Sequence, residues 1–184
     1  MFDQWKALFK RLRRYFHSYG GFRGLIGSPL FGLAVIISGL NYSMWLTPQW
    51  PSRVEAAMPT LLGFSLGTYA ILFSIIGSRL KGALRKVEAR PGVTYLEAIN
   101  ATFFHFIFVQ VLSLIWAILF QGTWLIDFAI SHKASDPWVV PTYFWASSIG
   151  SFIGFFLFVY SILLIIASAL AVYRLALIKD PNED

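Results

Sequence analysis

The residues best equipped for chemistry in this sequence are basic, and they fall in two groups. "KALFKRLRRYF", residues 6–16, sets Lys6, Lys10, Arg11, Arg13 and Arg14 among apolar neighbours, and "GSRLKGALRKVE", residues 77–88, carries Arg79, Lys81, Arg85 and Lys86. Fixed cations at this density attract anions without a sequence-specific motif, whether the anion is a lipid headgroup or a nucleic acid. Other chemistries lack their parts. There is no cysteine and there are only three histidines, so a thiolate nucleophile, a thiolate metal site and a His cluster with metal spacing are all missing. No nucleophile elbow or phosphate-binding loop occurs either. Catalysis, a cofactor and a bound metal are therefore not expected.

The elements that would position these cations are read from the uncharged runs. Four of them, Gly24–Ser52, Ala56–Ser78, Ala98–Ile126 and Pro137–Tyr173, each exceed the ~20 residues a helix needs to cross a hydrocarbon core. None alternates like an outer-membrane barrel strand. The sequence predicts an all-α polytopic membrane protein with four transmembrane helices. It divides into a basic amphipathic segment over residues 1–24, a transmembrane domain over 25–178 with a basic connection at 79–97, and an acidic tail over 179–184. Thirteen of the 15 Lys and Arg residues lie in the N-terminal segment, the middle connection and the tail, against Arg53 and Lys133 in the other two connections. That asymmetry predicts N-in/C-in orientation, with Trp45, Trp50, Trp124, Trp138 and Trp145 as an outer aromatic belt. A cleavable signal peptide is not expected, since the first apolar run is long and lacks a small-x-small site.

On a helical wheel Phe2, Trp5, Leu8, Phe9, Leu12, Tyr15, Phe16 and Tyr19 share an arc of about 140°, with the five cations opposite. The pattern is that of an interfacial helix, ended by Gly20 and Gly21. Three readings stay open for it: lipid contact, an anionic ligand such as an oligonucleotide on the charged side, or a helix seam between subunits.

The spans carry stripes of small residues. Thr60, Gly63, Gly67, Ala70, Ser74 and Ser78 share one face of the second, with nothing obvious to break the helix between Pro59 and Arg90. A continuous helix of about 45 Å projecting into the cytoplasm is expected. Gly63 and Gly67 permit close helix packing, or with the hydroxyls they form a pore wall. Gln110 and Gln121 lie on the third span with Phe106, Ser113, Ala117 and Trp124, as interhelical glue or as gate. Ser147, Gly150, Gly154, Ser161 and Ser168 form a packing face on the fourth. His105, the one ionisable side chain within a span, is either structural or a proton relay.

The size, the two basic segments and the stretch "LLGFSLGTYAILFS" running into "GSRLKGALRKVE" resemble the small multi-spanning effectors of bacterial anti-phage systems, such as the membrane component of Hailong or Kiwa. The resemblance is one of architecture. It implies a tetramer-like homo-oligomer in the bacterial inner membrane, quiet until infection, regulated at its basic cytoplasmic surface, in the Hailong-like case by a single-stranded oligonucleotide. The expected function is an oligomeric pore or ion channel gated at that mouth. The alternative is a non-conducting membrane anchor that recruits a soluble cytoplasmic partner.

Overall fold

A computed structural model describes residues 2–132 and 137–176, and these are nearly all helical. Lys133, Lys179 and the acidic tail lie outside the described residues. In chain order the elements are α1 (Phe2–Tyr19), α2 (Gly21–Ile26), α3 (Pro29–Leu40), α4 (Tyr42–Trp45), α5 (Trp50–Ile75), α6 (Ser78–Lys86), β1 (Glu88–Arg90), β2 (Val93–Thr94), α7 (Tyr95–Gln121), α8 (Trp124–His132) and α9 (Val139–Ala176). Three helical stretches, Trp50–Ser74, Tyr95–His132 and Val139–Arg174, are long and apolar enough to cross a membrane. The protein is thus built as a helical membrane protein.

Helix α7 is the centre of the bundle, packed on α5 and α9. Val54 and Met58 of α5, Phe106, Val109 and Ala117 of α7, and Phe155, Val159 and Leu164 of α9 make its main core. The outer surface stays apolar, as lipid requires. Ile71, Ile118 and Ile166 are all exposed, an arrangement that water would not tolerate over so many positions.

The first uncharged run does not form one long helix. Ser28, in extended conformation, and Pro29 at the first helical position start α3. The Asn41 side chain then donates to the Ile37 carbonyl and ends it after 12 residues. At ~1.5 Å per residue α3 covers about 18 Å, less than a hydrocarbon core. Trp50 also departs from the expected belt: it is buried, packed beside Phe120.

The expected continuous helix from Pro59 to Arg90 is broken, because the chain stops helical geometry at Ile76 and restarts after Gly77. Burial drives the break. Ile76 and Leu84 fold into a second apolar cluster with Ile99 and Phe103 of α7, which a straight helix could not reach. The Lys81 ammonium donates to the Phe73 carbonyl, satisfying a group that the helix end leaves open. Upstream, α5 begins at Trp50 and runs through Pro59. A two-stranded hairpin follows α6, turning at Gly92, whose φ of 73° suits glycine.

Candidate functional site

The cations converge on one end of the bundle because both flanking helices lean on the first turns of α7. That helix starts at a capping box: the Thr94 side chain accepts from the Glu97 amide, and the Glu97 carboxylate accepts from the Thr94 amide. Glu97 also pairs with Arg14, which pins α1 across α7. At the next residue of α1, Tyr15 Oη lies 2.5 Å from His105 Nδ1. On the other side of the ring His105 Nε2 lies 3.1 Å from Tyr160 Oη. Tyr19 stacks on the same imidazole at 3.9 Å between ring centroids. A neutral imidazole offers one donor and one acceptor, so two phenols satisfy it completely. Burial pushes the Tyr15 and Tyr19 phenols up from their ordinary value.

The third anchor comes from the hairpin. Gly20, at φ 115°, ends α1, and the Arg90 guanidinium donates to the Ser18 and Tyr19 carbonyls at 3.1 Å each. A cation at a helix C-terminus both completes hydrogen bonds and opposes the macrodipole. Arg90→Ala is expected to speed amide exchange in the last turns of α1 about tenfold, since hydrogen bonds to charged groups contribute ~1.5–3 kcal/mol. Exchange in α5 should not change.

Alongside α1 lies an open cavity of about 300 Å³ walled by α1, α5 and α7, with Arg11, Arg14 and Asn100 exposed at its rim. Arg11, Arg14 and Ser18 enter it from α1, Tyr69 from α5, and Asn100 and Phe104 from α7. The Tyr69 hydroxyl donates to Asn100 Oδ1 at 2.6 Å, which orients the exposed Asn100 side chain in this lining and leaves its amide hydrogens available as donors. No family model, curated protein or solved structure matches this chain. The residues themselves must carry the functional reading.

Of the sequence-derived cations, Arg14 and Lys81 are engaged within the chain, and Arg11 lines the cavity. Lys10, Arg13, Arg79, Arg85 and Lys86 are exposed. The small-residue faces separate into two kinds. A Cβ at Gly150 would collide with the Phe120 ring, and one at Gly154 with Trp50 and Trp116. Those glycines are filled by their own chain. Gly63 and Gly67 meet nothing within 4 Å, and Thr60, Ala70, Ser74 and Ser78 are exposed beside them. Gln110 is fully buried with both amide atoms unpaired, as is the Ser113 hydroxyl, whereas Gln121 is exposed where α7 ends.

Sequence reasoning missed Glu97, Asn100, Tyr69 and the capping role of Arg90. The Thr94-x-x-Glu97 spacing was a legible helix start. Tyr69 and Asn100 gave no local signal, because a contact between two helices leaves none. Among the described residues no group of three or more His, Asp or Glu side chains could hold a metal.

Proposed function

We propose that the protein is a homo-oligomeric pore of the bacterial inner membrane, gated at its basic end by an anionic ligand such as an oligonucleotide, in anti-phage defence. The observation that carries the reading is the contrast between glycines: α9 uses Gly150 and Gly154 internally, whereas the Thr60–Gly63–Gly67–Ser74 stripe of α5 is exposed, and its glycines meet nothing within 4 Å among the described residues. Small residues exposed to lipid gain little there, and between helices they permit close approach. Copies arranged about an axis with α5 inward would line a path with hydroxyls and glycines, and α6 would set Arg79, Arg85 and Lys86 around its mouth.

The topology in this proposal is four crossings, N-in/C-in. Its support is the level of the chain along α7. Tyr15 sits beside His105, while Trp50 sits against Phe120, about 20 Å away at 1.5 Å per residue. Residues 20–50 therefore climb most of the bundle, with Phe31 packed on Tyr160 and Trp45 on Phe152 of α9. Cysteines at Arg53 should label from outside intact cells, and those at Lys10 and Lys86 should not. Reversed labelling overturns the topology.

Purified protein in planar bilayers should carry current that favours anions, because a ring of fixed cations raises the local anion concentration. Arg85→Glu/Lys86→Glu should invert that preference. Short single-stranded oligonucleotides should reduce the wild-type current, with an affinity that falls steeply as salt rises. The second reading, a membrane anchor whose exposed Lys10, Arg13 and Arg79 recruit an acidic soluble partner, takes over if no current flows at any oligonucleotide concentration.

A further inference from the structure

The cavity alongside α1 combines three properties that together select a ligand. It lies at the first turns of α7, where the charged residue Glu97 gives way to the uncharged run beginning at Ala98. That is the depth at which a bilayer changes from headgroup to hydrocarbon. The aromatic face of α1 agrees, since Trp5 is 56% and Phe9 66% exposed, as an interfacial helix would leave them for lipid. The walls are also divided. Arg11, Ser18 and the Asn100 amide supply donors, and Ala101, Phe104 and the Tyr69 ring supply apolar surface. Finally, the charge is balanced to one: Glu97 cancels its partner Arg14, and Arg11 leaves a single positive charge.

We infer that this cavity binds a phosphodiester headgroup, with the phosphate on Arg11 and headgroup hydroxyls on Asn100 and Ser18. A phosphodiester carries one negative charge, which matches the lining. A phosphomonoester would bring nearly two and meet Glu97 unfavourably. A volume of about 300 Å³ is at the small end of ligand pockets, suited to a headgroup and first methylenes with the acyl chains outside along Phe104. The site needs the chain to sit in a bilayer, but it does not need the protein to conduct. Its ligand is therefore separable from whatever gates α6.

The test is native mass spectrometry of protein titrated with phosphatidylglycerol in zwitterionic micelles, comparing wild type with Arg11→Gln, Asn100→Leu and Lys6→Gln. Arg11 and Lys6 are both exposed on α1, so both variants keep the fold and lose the same charge. Only Arg11 reaches the cavity. Wild type should retain one lipid per subunit, Arg11→Gln and Asn100→Leu should bind about tenfold more weakly, and Lys6→Gln should stay within twofold of wild type. Water-soluble glycerophosphoglycerol added as competitor identifies the source. Displacement of the lipid means that a soluble phosphodiester occupies the site, and retention means that the acyl chains are required. Equal weakening in Lys6→Gln and Arg11→Gln, or none in Arg11→Gln, would reduce the binding to diffuse membrane electrostatics and overturn the inference.

Discussion

Gly154→Leu should cost nearly all folded protein, with the monodisperse fraction after size-exclusion chromatography falling at least tenfold. The position sits between two indoles. A Cβ there already overlaps Trp50 and Trp116, and neither ring can swing away freely. Trp50 is buried in the main core, and Trp116 Nε1 donates to the Gly150 carbonyl at 2.9 Å. Overpacking of this kind costs on the order of 1–3 kcal/mol when neighbours can shift, and more when rigid rings cannot. Gly67→Leu should behave in the opposite way. An added Cβ meets nothing within 4 Å, so the subunit should fold, and if α5 forms the proposed interface only the oligomer should be lost. Native mass spectrometry reads both. An intact oligomer in Gly67→Leu would remove α5 from the subunit interface.

His105→Leu is expected to release α1 from the bundle. The substitution keeps most of the volume but strips two phenols of their shared partner, and each buried polar group left unsatisfied costs about 1–3 kcal/mol. Stacking with Tyr19 is lost as well. A cysteine at Ser18, which α1 buries against the bundle, should then react with maleimide more than tenfold faster than in the wild-type background. His105→Gln, which retains a donor and an acceptor, should fall between. Labelling at the wild-type rate would mean that Arg14–Glu97 and Arg90 hold α1 without the imidazole.

Helix content and membrane character were legible because they depend on composition and run length, which are local. The two breaks were not. An uncharged run says that a segment is apolar, and it does not say where Asn41 will turn back on the Ile37 carbonyl. Likewise "IIGSRLKGAL" reads as continuous helix until Ile76 and Leu84 are given a shared destination on α7. The basic patches were legible as charge. Their division into anchors, cavity walls and exposed cations was not, because it depends on partners as distant in sequence as Glu97 from Arg14. The stripes on α5 and α9 look alike as spacing. Only the facing residues separate them: Phe120, Trp50 and Trp116 against the α9 glycines, and none within 4 Å of the α5 glycines among the described residues.

The anchors of α1 also fix an order of events during synthesis. Helix α1 leaves the ribosome before its partners do: Arg90 lies 71 residues beyond Tyr19 and His105 lies 90 beyond Tyr15. At about 5–20 residues per second several seconds pass before either partner exists. During that interval Trp5, Phe9, Tyr15 and Tyr19 lack those partners, and in the proposed topology the bilayer surface would cover them while the cations beside them hold the nascent segment on the cytoplasmic leaflet. A helix made before its partners is thus late to find its native seat. The lipid affinity proposed for it would then serve biogenesis as much as the finished molecule.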